Sequence, residues 1–162
     1  MLSEAARTKI DREVAKYPPE HKQSAVMAAL AIVQDEQGWL SPENMSDVAG
    51  YLGMAPVAVE EVATFYNMYE LAPGGKYRLC ICTNLPCALS GAGEAAAHLK
   101  RRLGIGWNET TADGCFTLKE GECFGACGDA PVLLQNNKRM LCAMSPEKID
   151  RLLSDLKSGD LK

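Results

Sequence analysis

Residues 77–87 read Tyr77-Arg78-Leu79-Cys80-Ile81-Cys82-Thr83-Asn84-Leu85-Pro86-Cys87. Tyr77, Leu79 and Ile81 alternate with Arg78, Cys80 and Cys82, a period of two that predicts a strand whose last residue is a thiol. A loop carrying Cys87 follows. Residues 90–103 then adopt helical spacing, with Ala92, Ala95, Ala96, Leu99 and Leu103 facing inward and Gly104 as the stop. Lys100, Arg101 and Arg102 fall in the last turn, where cations suit the negative end of the helix dipole. A strand that hands over to a helix through a cysteine loop sets the class of the second half of the chain.

Working downstream, Cys115 to Leu118 predicts a short strand leading into a glycine-rich loop, residues 122–129, that contains Cys123-Phe124-Gly125-Ala126-Cys127. Residues 132–135 and 139–142 flank Asn136-Asn137-Lys138 and read as a hairpin, since Asn tolerates positive φ at turn positions. Ser145-Pro146-Glu147 opens a closing helix carrying Ile149, Leu152, Leu153 and Leu156. The order βα, β, ββ, α predicts an α/β domain with a mixed central sheet.

Working upstream, Pro73-Gly74-Gly75 is turn chemistry and marks a boundary, giving residues 1–75 and 76–162 as two domains. The first predicts a bundle of helices. One runs over about residues 3–16, capped by Ser3 and ended before Pro18-Pro19. A second runs from Pro19 to Gly38 with a broad apolar face, a third from Ser41 to Gly53, and a fourth from Pro56 with Val59, Val62, Ala63 and Tyr66 inward. His21 reads as a surface residue and Phe65-Tyr66 as packing. The fold class is therefore α+β, a helical bundle followed by an α/β domain.

At 162 residues, 47% hydrophobic and 23% charged, the composition is that of an ordinary globular protein. The longest apolar stretch, residues 25–33, is too short to span a bilayer. Residues 1–75 hold 5 Lys/Arg against 11 Asp/Glu and residues 76–162 hold 12 against 10, so the halves carry −6 and +2. Such a balance argues against nucleic acid as a partner. The first residues lack the basic and apolar regions of a signal peptide, which predicts a cytosolic chain whose thiols stay reduced. Seven cysteines in that setting predict metal ligands plus buried apolar thiols rather than disulfides.

Cys82, Cys87, Cys123 and Cys127 lie in the two loops, at C-x4-C and C-x3-C spacing, so two sulfur pairs can converge on one centre. Cys80, Cys115 and Cys142 lie in strand contexts and read as buried small hydrophobes. With only His21 and His98 in the chain, a mixed His/Cys cluster has no support. Zinc ribbons use tighter C-x2-C knuckles, and dithiol redox enzymes use C-x-x-C, a spacing no pair here has. Backbone N–H groups near Gly91, Gly93, Gly121, Gly125 and Gly128 can reach sulfur and raise a cluster's potential, while Glu120, Glu122 and Asp129 lower it. No Gly-rich G-x-G-x-x-G fingerprint occurs, so the chain itself is expected to bind neither NADH nor flavin. Two readings stay open on the residues alone: an electron carrier with an iron–sulfur cluster, or a zinc-stabilised docking module without a redox role.

Four motifs in order narrow the choice: Val62 to Tyr66 (Val-Ala-Thr-Phe-Tyr), Cys82 to Cys87 (Cys-Thr-Asn-Leu-Pro-Cys), Asp113 to Leu118 (Asp-Gly-Cys-Phe-Thr-Leu) and Cys123 to Cys127 (Cys-Phe-Gly-Ala-Cys). Together they resemble the 24-kDa-type subunits of respiratory complex I, the NADH-quinone oxidoreductase of bacteria. The resemblance implies a thioredoxin-like 2Fe-2S ferredoxin domain behind a helical docking bundle, with Cys82, Cys87, Cys123 and Cys127 holding one 2Fe-2S cluster. It also implies docking on a flavin- and NADH-binding subunit, as a heterodimer or larger assembly, and single-electron exchange with that subunit's flavin. FMN and NAD are expected only in the partner. The chain has no active site of its own on this reading, and it resides in the cytoplasm, at the inner face of the cell membrane within a peripheral arm. The same domain pair resembles subunits of NAD-dependent formate dehydrogenases and of NAD-reducing hydrogenases.

Overall fold

Three serines start helices by the same chemistry: a side-chain oxygen accepts a backbone N–H that the first helical turn leaves without a partner. Ser3 accepts from Ala6 N–H at 3.0 Å, Ser41 from Asn44 at 3.2 Å and Ser145 from Lys148 at 3.4 Å. Asn44 returns the bond to the Ser41 N–H at 3.1 Å, closing a capping box. The computed structural model describes residues 1–159. Its chain divides into two units, the first ending at Pro73 and the second starting at Gly74. Among the described residues no helix is long and apolar enough to cross a membrane.

The first unit contains α1 (Glu4–Val14), α2 (Val26–Gln37), α3 (Pro42–Leu52) and α4 (Pro56–Phe65). Ile10, Leu30, Val33, Leu40, Val48, Leu52 and Val59 meet in its core. Two details differ from the periodicity. The expected helix from Pro19 is divided, because residues 19–25 form 3-10 turns in which His21 N–H bonds Pro18 O at 2.8 Å and His21 leaves helical backbone angles. The α-helix starts only at Val26. Tyr66 also leaves the helical register, since its backbone is extended at φ −94°, ψ 117°. Its side chain is 38% exposed and that of Phe65 80% exposed, so the two rings pack edge-on against each other, centroids 4.9 Å apart, outside the core. His21 is exposed, as expected.

The second unit contains β1 (Tyr77–Cys82), α5 (Leu85–Leu89), α6 (Ala92–Leu103), β2 (Glu109–Thr110), β3 (Phe116–Gly121), β4 (Leu133–Gln135), β5 (Arg139–Leu141) and α7 (Pro146–Ser158). The strands form one mixed sheet in the order β2-β3-β1-β4-β5. β1 runs parallel to β3 and antiparallel to β4. Leu79, Ile81, Phe116, Leu118 and Leu133 build its core with Ala95 and Leu99 of α6 and Ile149, Leu152, Leu153 and Leu156 of α7. Asn136 and Asn137 take φ of 52° and 54° in the β4–β5 turn, as Asn at those positions predicts. Strand β2 was not legible: two exposed residues carry no periodicity.

Gly75 has a role other than turning. A Cβ there would fall 2.8 Å and 2.9 Å from the carbonyl carbon and nitrogen of Phe116, and the Gly75 N–H donates to Thr117 Oγ1 at 2.6 Å. The glycine is required by close backbone approach, not by positive φ.

Asp150 on α7 joins the unit's two long helices. Its Oδ1 lies 2.8 Å from His98 Nε2 and 2.7 Å from Arg102 Nε, both on α6. The His98 hydrogen bond, aided by the Arg102 charge, holds the carboxyl below the ordinary aspartate value of 3.8. A carboxyl with a lowered folded-state pKa stabilises the fold above its ordinary value and loses that contribution as pH falls below it. The melting temperature is therefore expected to fall as pH drops below about 4, and Asp150→Asn should make that fall shallower in a calorimetric pH series. An identical slope in the variant contradicts the assignment.

Candidate metal centre

The register of β1 and β3 places the cysteines. In this parallel pair Cys82 lies opposite Gly121, the last rung of the ladder. The segments that carry the two cysteine pairs therefore leave the sheet side by side, at the carboxyl ends of adjacent parallel strands, where open α/β sheets offer a crevice.

The first pair is buried. Cys82 is 1% and Cys87 2% exposed, and with Ala92 and Val132 they form a separate apolar cluster against which Phe124, Ala126 and Ala130 pack. The Cys82 N–H bonds Val132 O at 3.0 Å, fixing the strand end. Cys87 does not sit in a loop. Pro86 in the first turn starts the short helix α5, Ala88 N–H closes onto Asn84 O at 2.8 Å, and the thiol projects from that turn. The next helix begins only at Ala92, after Gly91 at φ 92°, so its amino end does not open near Ser90 as the spacing predicts.

The second pair is exposed. Cys123 Sγ and Cys127 Sγ are 3.8 Å apart. Metal–sulfur bonds of about 2.3 Å in a tetrahedron give an edge of about 3.8 Å, so this pair has the spacing of two ligands on one metal. Gly125 takes φ 77° and aims its N–H at Cys123 Sγ from 3.4 Å, one of the sulfur donors expected from the glycines. A Cβ at Gly93 or Gly128 would meet nothing within 4 Å, so neither glycine is required by close packing. Gly121 serves packing, because a Cβ there would overlap the tip of the Phe124 ring and stand 2.8 Å from Cys80 Sγ.

Electrostatics links the pairs. Burial, and then a hydrogen bond with Cys82, pushes the Cys87 thiol up from its ordinary value, and charge on Cys127 adds to this. The Cys123 hydrogen bond pushes Cys127 up, with charge on Cys82 contributing. A bound cation would offset this effect on Cys87 and Cys127, because metal binding favours the thiolate. Among the described residues no three or more His, Cys, Asp or Glu side chains are gathered closely enough to hold one metal ion. The sulfurs stand as two pairs, which matches the donor set of a two-iron cluster, two thiolates to each iron.

Three hydrogen bonds tie the two segments beyond the ladder: Thr83 N–H to Gly121 O at 3.2 Å, Thr83 Oγ1 to Glu120 at 2.9 Å, and Asn84 Nδ2 to Glu122 at 2.7 Å. Both carboxylates thus accept side-chain bonds that no local pattern signals. The three remaining cysteines are not buried as expected. Cys80 and Cys115 are half-buried and Cys142 is exposed, because it follows the short edge strand β5, which leaves one side of the chain to solvent.

A family model described as thioredoxin-like [2Fe-2S] ferredoxin matches residues 10–157. NADH-quinone oxidoreductase subunit 2 of Thermus thermophilus is 39% identical over 150 residues, 93% of this chain and 83% of that protein. A subunit of the NADH-quinone oxidoreductase of Rickettsia felis is 40% identical over 150 residues, 92% of this chain and 89% of its own. Among solved structures, an NAD+-reducing [NiFe]-hydrogenase in the air-oxidised state superposes with a TM-score of 0.69 at 20% identity over 80% of this chain. That likeness is one of fold, and the matched region spans 23% of the hydrogenase chain.

Proposed function

The chain belongs to the thioredoxin-like [2Fe-2S] ferredoxin family, and from that premise we propose that it is the electron-transfer subunit of an NADH-quinone oxidoreductase. It takes single electrons from the flavin of a partner NADH-binding subunit. Cys82 and Cys87 hold one iron of a 2Fe-2S cluster, and Cys123 and Cys127 hold the other. When bound, that cluster supplies a reversible one-electron centre. The observation that carries the proposal is the pairing of sulfurs at the ends of two adjacent parallel strands, with one pair at 3.8 Å.

The chain's own residues set the conditions of that site. Val132, Ala92 and Phe124 keep water from the Cys82–Cys87 pair, whereas Cys123 and Cys127 face outward, the side from which a donor can approach. The Gly125 N–H on Cys123 Sγ stabilises added negative charge and so favours the reduced state. The acidic helical unit docks on the partner, with Phe65 and Tyr66 as its exposed aromatic surface. The assembly lies in the cytoplasm, as part of an arm peripheral to the membrane. Curated relatives at 39% and 40% identity over most of the chain favour this parent complex over a hydrogenase, whose likeness is in fold.

Mixing experiments test the carrier role. The brown full-length chain is expected to bleach with dithionite, to stay oxidised with NADH alone, and to be reduced by NADH once the flavin-containing subunit is added. Reduction by NADH in the absence of any flavoprotein contradicts it.

A further inference from the structure

The ladder between β1 and β3 ends at Cys82 opposite Gly121, and the other three sulfurs, of Cys87, Cys123 and Cys127, are carried by residues beyond it. One backbone bond continues the pairing, and two side-chain bonds flank it. Glu120 accepts from the Thr83 hydroxyl at 2.9 Å, and Glu122 accepts from the Asn84 amide at 2.7 Å, with the Thr83 N–H on Gly121 O between them. Thr83 and Asn84 directly follow Cys82, and Glu122 directly precedes Cys123. We propose that Glu120 and Glu122 are positioning residues, whose carboxylates clamp the segment after Cys82 to the segment before Cys123 and fix the separation of the two sulfur pairs.

Four features support the clamp. Each bond has the length of a well-formed hydrogen bond, 2.9 Å and 2.7 Å between heavy atoms. Both bonds are exposed, so their contribution to global stability is small and their effect is local. The Asn84 side chain makes no cap on α5, and its Nδ2 donates to Glu122. The two segments come from strands separated by more than thirty residues of chain, so nothing local holds them in register. These glutamates therefore act on the site in two ways, through their charge on the potential and through their bonds on the geometry, and the two are separable. Glutamine keeps the accepting oxygen and removes the charge, whereas alanine removes both.

The proposal rests on the four-thiolate reading, so its test has a loaded arm and a metal-free arm. In the first, the cluster-loaded full chain is exposed to an excess of iron chelator and the loss of visible absorbance is timed. Thr83→Val with Asn84→Ala, and separately Glu120→Ala with Glu122→Ala, are expected to release iron roughly tenfold faster than wild type, since a factor of ten corresponds to two exposed hydrogen bonds near the low end of their net contribution. Glu120→Gln with Glu122→Gln is expected to stay within about twofold of wild type, because the acceptors are retained. Wild-type release rates in the Thr83→Val/Asn84→Ala chain overturn the clamp. Glutamine variants as fast as the alanine ones overturn it too, by assigning the effect to charge.

In the second arm, amide hydrogen exchange is followed in the metal-free chain. The Thr83→Val/Asn84→Ala variant is expected to exchange faster at residues 83 and 120–123, with Leu79 to Ile81 unchanged. Faster exchange at Leu79 to Ile81 as well would mean general loosening and contradict a local clamp. This arm reads the clamp whether or not the chain holds iron, so failure of the cluster reading and failure of the clamp give different results.

Discussion

Cys82→Ser and Cys127→Ser chains are expected to hold less than roughly a tenth of the wild-type iron, while Cys142→Ser keeps its full complement. Altering the partners behind a metal ligand already costs about 10–100-fold in affinity, and loss of the ligand itself removes more. Cys82 is 1% exposed in an apolar nest, and a serine hydroxyl there neither ionises at neutral pH nor matches iron's preference for sulfur. Cys127→Ser removes the sulfur that stands 3.8 Å from Cys123 Sγ, which on the proposed assignment leaves one iron with a single protein ligand. Cys142 is also exposed, but it lies past the edge strand β5, on the far side of β4 from β1, and has no part in either pair. Iron per chain and visible absorbance read the difference. Equal loss in all three variants contradicts the ligand assignment.

Gly75→Ala is expected to destabilise the second unit by about 2 kcal/mol, the middle of the range for overpacked sites. The added methyl would stand 2.8 Å and 2.9 Å from Phe116 C and N and 3.0 Å from Cys115 C. All three are backbone atoms, so no rotamer change relieves the contact. Phe116 is fully buried and opposite Tyr77 in the parallel ladder, and any retreat of its backbone also lengthens the Gly75 N–H bond to Thr117 Oγ1. For a unit of this size, about 2 kcal/mol lowers the melting temperature by roughly 8–16 °C. Gly93→Ala is the control: a Cβ there meets nothing within 4 Å, and alanine in a helix gains about 0.5–1 kcal/mol over glycine. A Gly75→Ala chain that melts within about a degree of wild type contradicts the close-approach argument.

Local chemistry was legible from the residues alone. Ser41-Pro42-Glu43 and Ser145-Pro146-Glu147 start helices where such triplets should, Asn136-Asn137 turns the chain through positive φ, and β1 spans the residues whose alternation marks it. Each of these depends on neighbours within a few positions. What the residues did not disclose is set by partners far along the chain. The parallel register of Cys82 with Gly121 joins residues from two separate strands, and that register brings the cysteine segments together. The Thr83–Glu120 and Asn84–Glu122 bonds follow from it. Tyr66 had the right spacing for the core, but the helix ended one residue before it and turned the ring outward. Cys80, Cys115 and Cys142 share an apolar sequence context with buried thiols, yet exposure depends on what covers each strand, and periodicity says nothing of that. Cys82, Cys87, Cys123 and Cys127 stood out because paired thiols at short spacing are rare outside metal sites.

Quantifying iron, acid-labile sulfide and zinc in the full chain, purified without exposure to oxygen, tests the central claim most directly. Two irons and two sulfides per chain, with no stoichiometric zinc, is the expected composition for a family of [2Fe-2S] ferredoxins. One zinc per chain and no sulfide would contradict it.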